Sequence, residues 1–222
     1  ESTYIIDGKS YSVRPKIVVN GNSVSPDYLV KDKDKITVQV PKTISELLSF
    51  VNLSHKLKGI EPFYIQINSR EIHIPAFSGK VLKNNLEVSL NSPVKSGDIL
   101  QFVETYEPTL EELAITQNWQ LQYSVPINFN GEEIFLHENI TQVYKNGQSI
   151  KANERIRNGD HLIVEFKKFE QFIFQDVFRF VDFQLPNEAG KYEILINGED
   201  ASFDHPIQPG DELEIKWIGV RN

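Results

Sequence analysis

The sequence predicts an α+β fold in which short β-sheets, each backed by one helix, repeat along the chain. Three observations predict it: a turn signal that recurs at a fixed spacing, apolar residues that alternate along strands, and short amphipathic helices. The recurring signal is an Asn with an Asp fourteen residues later. It occurs at Asn20 and Asp34, Asn84 and Asp98, Asn146 and Asp160, and Asn197 and Asp211. A fixed offset of this kind indicates repeated structural units.

We call each repeat a cassette, and the four cassettes cover residues 16–40, 81–103, 142–166 and 191–217. Asn-Gly accepts positive φ at both central turn positions, and the later Gly-Asp supplies a second tight turn whose Asp can bond nearby backbone. Two cassettes depart from the pattern, with Lys33 and Asn85 in place of Gly. We assign a structural turn role, and no chemistry, to Asn20, Gly21, Asn146, Gly147, Gly159, Asp160, Asn197, Gly198, Gly210 and Asp211.

The last strand of each cassette alternates apolar and polar residues, which predicts one buried face. In the first cassette this face carries Ile36, Val38 and Val40. Hairpins are predicted at 3–13, 63–74 and 124–136, and helices at 43–53, 109–115 and 171–183. The first two helices open with a threonine and a glutamate three residues later, the pattern of a capping box.

The β-grasp, or ubiquitin-like, fold has a characteristic order of elements. Two strands come first, one helix follows, and further strands ending in a Gly-Asp turn close the unit. We therefore predict tandem β-grasp units, each a mixed β-sheet with one packed helix. The predicted boundaries are an N-terminal hairpin at 1–14 as a partial unit, and units at 15–77, 78–139 and 140–222. The last unit resembles the ThiS and MoaD sulfur carriers in layout. The chain lacks their terminal Gly-Gly, so this resemblance implies fold alone.

A second resemblance rests on four short motifs near the C-terminus. They are Asp176-Val177-Phe178, Val181-Asp182-Phe183, Leu195-Ile196-Asn197-Gly198 and Pro209-Gly210-Asp211. Their linked order resembles the C-terminal β-grasp repeat region of FtsA-like or PilM-like cell-division proteins of Gram-positive bacteria, which carry an actin-like ATPase region. The resemblance implies that this chain is the tail without that region. The start at Glu1 is interpreted in the same way, as a piece excised from a longer protein.

Composition excludes several classes of function. The net charge of −8 argues against nucleic acid or an anionic membrane as the main partner. The absence of cysteine excludes disulfides and thiolate chemistry, and no apolar run is long enough to span a bilayer. We expect a cytoplasmic chain, associated with membranes only through partners, that binds other proteins.

No group of residues has the spacing of a catalytic or metal site. The histidines are His55, His73, His137, His161 and His205, and no two share metal-ligand spacing. No nucleophile elbow or phosphate-binding loop is present. The sequence therefore predicts a protein that is not an enzyme and that uses no cofactor and no metal.

One segment is more apolar than a single helix stripe requires. Residues 171–183 place aromatic side chains on more than one face of the predicted helix, and four of them form a possible partner-docking patch: Phe172, Phe174, Phe178 and Phe180. Burial against a neighbouring unit is the alternative. Solvent exposure of Phe174 and Phe180 separates the two interpretations.

The predicted function is a non-catalytic protein–protein interaction or spacer region of a cell-division or envelope-assembly protein. Sheet edges and uncovered sheet faces are the expected docking surfaces. The alternative is a glycan- or polymer-binding β-grasp module similar to the SLBB modules of polysaccharide export. That alternative would use exposed aromatic residues along a groove, for which Trp119, Tyr123 and Tyr144 are the candidates.

Overall fold

The protein is an α+β chain built mainly of short strands. The structure, a computed structural model, describes residues 1–184 and 191–218. The strands are β1 (Ser2–Ile6), β2 (Lys9–Val13), β3 (Lys16–Val19), β4 (Asn22–Val24), β5 (Ile36–Gln39), β6 (Tyr64–Ile67), β7 (Arg70–His73), β8 (Lys80–Lys83), β9 (Leu86–Val88), β10 (Ile99–Val103), β11 (Gln122–Phe129), β12 (Glu132–Asn139), β13 (Thr141–Lys145), β14 (Gln148–Ser149), β15 (His161–Phe166), β16 (Lys191–Ile196), β17 (Glu199–Asp200) and β18 (Glu212–Ile218). The α-helices are α1 (Ile44–Phe50) and α2 (Leu110–Gln117), and 3₁₀ helices cover Ser54–Gly59, Pro75–Phe77 and Phe174–Arg179.

The strands form three five-stranded sheets and one three-stranded sheet. The orders are β2-β1-β10-β8-β9, β12-β11-β18-β16-β17, β14-β13-β15-β6-β7 and β4-β3-β5. Each five-stranded sheet combines one hairpin with the strands of one cassette, whereas the three-stranded sheet contains the first cassette alone. β1 pairs in parallel with β10, and β11 pairs in parallel with β18, while the other pairs in these two sheets are antiparallel.

The sheets do not follow the predicted unit boundaries. β1 and β2 share a sheet with β8, β9 and β10, although the hairpin of β6 and β7 lies between them in the chain. The predicted boundaries after residues 14 and 77 therefore separate strands that lie in one sheet. The hairpin at 1–14, predicted to be a partial unit, belongs to that complete sheet. The physical reason is that a hairpin is closed by local hydrogen bonds, whereas its partner strand is chosen by long-range pairing that the local pattern does not encode.

The chain divides into two compact units. One consists of Glu1–Gln66, Arg70–Pro108 and Arg157–Asp160, and the other of Ile67–Ser69, Thr109–Ile156 and His161–Asn222. In the first unit, α1 packs its apolar face onto the sheet of β1 and β10. The fully or nearly fully buried residues of that core are Tyr4, Ile6, Val13, Ile44, Leu47, Leu48, Val81 and Leu100. The helix begins where predicted, because the Thr43 hydroxyl accepts a hydrogen bond from the Glu46 N–H.

In the second unit, the core lies between the sheet of β11 and β18 and the segment that follows β15. Its buried residues are Val125, Ile127, Phe129, Leu136, Phe172, Phe174, Val177, Ile196, Ile207 and Leu213. Helix α2 of this unit carries the complete predicted capping box. The Thr109 hydroxyl accepts from the Glu112 N–H at 3.2 Å, and the Glu112 carboxylate accepts from the Thr109 N–H at 2.7 Å.

The predicted third helix over 171–183 is wrong in length and type. The structure has a 3₁₀ helix of six residues, Phe174–Arg179. Aromatic and β-branched residues dominate this segment, and their helix propensity is below that of Ala, Leu or Glu. The N–H groups of its first two residues, Phe174 and Gln175, donate to the carbonyls of His205 and Phe203.

Candidate functional site

The predicted turn residues adopt the positive-φ conformations that the Asn-Gly signal predicts. Positive φ is found at the Asn and the following residue of each cassette: Asn20 (50°), Gly21 (84°), Asn84 (51°), Asn85 (68°), Asn146 (53°), Gly147 (76°), Asn197 (51°) and Gly198 (81°). The residue before each late Asp also has positive φ, namely Lys33 (70°), Gly97 (92°), Gly159 (86°) and Gly210 (85°). Lys33 therefore occupies a glycine position with an L side chain, at a steric cost of about 1 kcal/mol.

The fixed offset has a physical origin in a side-chain clasp. In the first, second and fourth cassettes the Asn amide donates to the Asp carboxylate, at 2.7, 3.0 and 2.9 Å respectively. The same Asn carbonyl oxygen accepts the N–H of the residue after the Asp, at 2.9–3.0 Å. Each clasp therefore holds the two turns of a cassette together.

The Asp also closes its own turn. Its second carboxylate oxygen accepts the backbone N–H three residues earlier in all four cassettes, from Lys31, Lys95, Arg157 and Gln208 at 2.8–2.9 Å. Asp98 is 1% exposed, and Asp98 and Thr141 are the buried polar residues among those described. Burial raises the pKa of Asp98, but the hydrogen bonds from Lys95 N–H and the Asn84 amide outweigh it, so the net pKa is lowered.

Removing the Asp98 carboxylate is expected to destabilise the first unit. Asp98→Ala removes the buried carboxylate that accepts from the Asn84 amide and the Lys95 N–H, so we expect a loss of about 2 kcal/mol in the free energy of unfolding. Urea unfolding followed by circular dichroism measures it. Asp34→Ala is the matched control, because Asp34 is part of the same clasp in a more exposed cassette, and its loss should be smaller. Equal losses would contradict the role of burial.

A second repeated junction, not predicted from the sequence, joins each hairpin to its cassette. The first turn residue of the hairpin is Asp7, Asn68 or Asn130, and its N–H donates to the carbonyl two residues after the cassette Asp. The side-chain oxygen of that turn residue accepts the N–H four residues after the Asp. The donors are Phe102, Val164 and Ile215, each at 2.9 Å. An Asp or Asn at the hairpin turn is the sequence signal that could have revealed this junction.

Backbone carbonyls of the cassettes also accept hydrogen bonds from the first residues of each helix. The N–H groups of Ile44 and Ser45 donate to Ser92 and Leu90, and those of Leu110 and Glu111 donate to Glu154 and Ala152. The acceptors lie six and eight residues before the cassette Asp in each case, as do His205 and Phe203 in the fourth cassette. These bonds satisfy N–H groups that a helix start otherwise leaves unpaired.

The predicted aromatic docking patch is mostly core. Phe172 and Phe174 are 0% exposed, and Phe178 and Phe180 are half-buried. Phe174 meets the rings of Phe129, Phe178 and Phe203 at 6.1–6.5 Å between centroids. An exposed patch that includes Phe172 and Phe174 is therefore wrong. The physical reason is that aromatic residues on two sides of the short 3₁₀ helix fill the space over their own sheet.

An ion-pair network lies beside Phe180. Glu138 is 13% exposed and accepts from Lys167 Nζ at 2.5 Å and from Arg179 Nη2 at 2.9 Å. The Arg179 guanidinium also lies over the Phe180 ring, 5.4 Å from its centroid, and the His137 ring packs on it at 4.9 Å. The hydrogen bond from Lys167, followed by that from Arg179, lowers the pKa of the Glu138 carboxyl.

This network predicts a pH-dependent stability. A carboxyl whose pKa is lower in the folded than in the unfolded state stabilises the fold above its unfolded pKa, which is about 4.3, and that stability is lost as the pH falls through the folded pKa. The difference in unfolding free energy between wild type and Glu138→Gln should therefore be constant near neutral pH and shrink below about pH 4.3. Urea unfolding at a series of pH values measures it. A difference that grows on acidification would contradict the assignment.

The second unit contains a cleft of 620 Å³ between α2 and the strands β13 and β14. Trp119 lines it, together with amide side chains of Gln122, Asn139 and Gln142. The other two aromatic candidates do not. Tyr123 packs in the core against Phe169 and Phe172, and the Tyr144 hydroxyl donates to Gln142 at 2.6 Å. The three residues therefore do not form one aromatic groove.

The first cassette differs from the other three in burial. Its predicted core face is exposed, with Ile36 at 50%, Val38 at 60% and Val40 at 46%. Within the part of the chain that the structure describes, β5 is an edge strand paired only with β3. The prediction of a buried face was wrong because alternation shows which side chains share a face but not whether another element covers that face.

Within residues 1–184 and 191–218, no three His, Cys, Asp or Glu side chains are grouped to hold a metal ion. His73 stacks on Tyr64 at 4.7 Å, and its Nε2 lies 3.1 Å from the Ser78 hydroxyl. No helix in the same ranges is both long and apolar enough to cross a bilayer.

Comparison of the chain with protein-family models, with curated proteins and with solved structures finds no match.

Proposed function

We propose that the chain is a tandem array of β-grasp units that acts as a non-catalytic protein–protein interaction or spacer region. The proposed setting is the cytoplasm, in a protein of the FtsA-like type that takes part in cell division or envelope assembly. The observation that carries the proposal is the use of the repeated motif. The Asn, Gly and Asp residues that recur most regularly hold turns and join strands.

Two features of the sheets support the β-grasp part of the proposal. Each five-stranded sheet has the last strand of its cassette, β10, β18 or β15, at the centre, with the hairpin on one side and the other two cassette strands on the other. In two of them this central strand runs parallel to the first strand of the hairpin. A mixed sheet of this order with a helical segment bonded to its cassette is the arrangement expected of a β-grasp unit.

Binding to an actin-like ATPase region tests the proposed partner. The purified 222-residue chain is titrated into the actin-like region of a Gram-positive FtsA-like protein and followed by isothermal calorimetry. Saturable binding is expected, with serum albumin as the control titrant. Lack of binding at the highest soluble concentrations would contradict this partner.

Nucleotide binding tests the non-catalytic part of the proposal. Titration of ATP with magnesium into the same chain is expected to give no saturable heat and no released phosphate. Saturable binding of ATP would overturn the assignment to the tail rather than to the ATPase region.

Glycan binding is a second candidate because Trp119 lines the 620 Å³ cleft beside three amide side chains. An indole that lines a cleft with amides nearby is suited to stack on and hydrogen-bond to a sugar. In a Trp217→Phe background, Trp119 is the remaining tryptophan, so its fluorescence reports on this cleft. A saturable change with chito- or cello-oligosaccharides, lost in Trp119→Ala, would favour this function. No change would leave the interaction role as the better supported one.

A further inference from the structure

We propose that the first cassette is the closing half of a further five-stranded sheet and docks a β-hairpin followed by a capped helical turn. In each five-stranded sheet the hairpin and the helical segment precede their cassette along the chain. The missing element is therefore assigned to the same polypeptide, ahead of Ser2. The inference rests on the proposed interaction role only in that it names one docking surface and its occupant.

The first line of support is the backbone of the cassette. In the other three cassettes four backbone groups bond to the hairpin: the N–H before the Asp, the Asp carbonyl, the carbonyl two residues later and the N–H four residues later. The corresponding groups of the first cassette belong to Lys33, Asp34, Ile36 and Val38.

The register of β5 turns two of these groups outward. The Asn20 N–H donates to the Lys35 carbonyl, and Ile36 and Val38 lie opposite Val19 and Ile17. Because hydrogen-bonded and non-hydrogen-bonded pairs alternate in an antiparallel ladder, the backbone groups of Ile36 and Val38 point away from β3. They therefore face the free edge, in the direction from which a parallel hairpin strand reaches β10 and β18.

The second line of support is side-chain burial at matched positions. Two residues after the Asp, Leu100, Leu162 and Leu213 are 0%, 2% and 0% exposed, whereas Ile36 is 50% exposed. Four residues before the Asp, Ile156 and Ile207 are 0% and 3% exposed, whereas Val30 is 62% exposed. Leu29, at the neighbouring position, is 85% exposed. The same sequence positions are thus covered where a hairpin and helix are present and uncovered here.

The third line of support is the helix-binding carbonyls. The residues six and eight positions before the Asp accept N–H groups of a helix start in the other cassettes, and in the first cassette these positions are Tyr28 and Pro26. The required element therefore begins with an alternating strand that ends in an Asp or Asn turn residue. It continues into a helical turn with an acidic residue near its start, like Glu46, Glu112 and Asp176.

The three hairpins already placed in the structure do not supply this element. β1 and β2 are in the sheet of β10, β6 and β7 are in the sheet of β15, and β11 and β12 are in the sheet of β18. A second copy of the chain would meet the same restriction, since its hairpins are placed in the same way. The proposed occupant is therefore an additional hairpin–helix element.

A fusion built from the chain's own hairpin and helix tests the proposal. A copy of residues 1–15, joined by a three-residue linker (about 10 Å of chain) to a copy of residues 40–61, is placed ahead of Glu1. Lys16 and Gln39 are paired neighbours, so excising the cassette between these segments leaves adjacent ends. A second fusion uses residues 119–140 joined to 167–184, because Thr141 and Phe166 are paired in the same way.

The measurement is backbone hydrogen exchange at the Val38 N–H, read by NMR. In the fusions it is expected to slow at least about tenfold relative to the unfused chain. The matched control is the first fusion with Ile5→Pro in the copy alone, because the Ile5 N–H is the donor that meets the cassette Asp carbonyl. This control should restore fast exchange.

Two outcomes would overturn the proposal. One is a Val38 N–H that exchanges equally fast in both fusions and in the unfused chain. The other is slow exchange in the unfused chain together with a dimer in sedimentation, which would make a second copy the occupant. Neither outcome depends on binding to an actin-like region, so this inference and the proposed function can fail separately.

Discussion

Phe174→Ala is expected to lower the free energy of unfolding by about 3–5 kcal/mol. Phe174 is 0% exposed and contacts three other aromatic rings. Its truncation therefore removes buried apolar surface and ring contacts, and the short 3₁₀ helix cannot shift enough to fill the space left behind. Urea unfolding monitored by tryptophan fluorescence measures the change, since Trp217 lies in β18 of the adjacent sheet.

The matched control for this variant is Phe135→Ala. Phe135 lies on β12 of the same sheet but is 58% exposed, so its truncation should change the unfolding free energy by less than about 1 kcal/mol. Because both variants remove a phenylalanine side chain, comparing their unfolding free energies distinguishes a core residue from a residue on a docking surface. A small loss at Phe174 that came with a lost binding partner would instead restore the docking interpretation of the segment.

Features set by a few neighbouring residues could be predicted from the sequence. The turns at Asn20-Gly21 and Asn197-Gly198 and the helix start at Thr109 depend on backbone conformation and capping within four residues. The three hairpins could be predicted for the same reason. The fourteen-residue offset was visible as a pattern, and the structure shows its cause in the Asn-to-Asp clasp.

Features set across the chain could not be predicted. Strand β1 selects β10, which is more than ninety residues away, because register and partner are fixed by bonds such as that from Phe102 N–H to Asp7. The sequence predicts a helix over 171–183, yet the segment forms only the six-residue 3₁₀ helix Phe174–Arg179, because it is rich in aromatic and β-branched residues of low helix propensity and packs over the β11 sheet.

The candidate docking site illustrates a different limit. Ile36 and Val38 have the alternation of a core strand. In the other cassettes the side chains matched to Ile36 are buried, and those matched to Val38 are buried or packed against the core. Exposure in the first cassette is a property of what covers β5, and the sequence of β5 itself does not contain that information. Comparison among repeats within one chain supplies it, since three copies show the covered state.

Leu100→Ala is expected to lower the unfolding free energy by about 2–5 kcal/mol, whereas Ile36→Ala at the matched position should lower it by less than about 1 kcal/mol. Leu100 is 0% exposed in the core between α1 and the sheet of β1 and β10, so truncation leaves a cavity. Ile36 is 50% exposed, so truncation removes little buried surface. Urea unfolding followed by circular dichroism measures both variants.

The same two variants also test the fusion that adds a hairpin and helix ahead of Glu1. If the added element covers β5, Ile36 becomes buried, and Ile36→Ala should then cost about as much as Leu100→Ala. The loss at Leu100 should not change, because its own hairpin is already in place. An Ile36→Ala variant that remains neutral in the fusion would show that β5 is not the closing strand of another sheet.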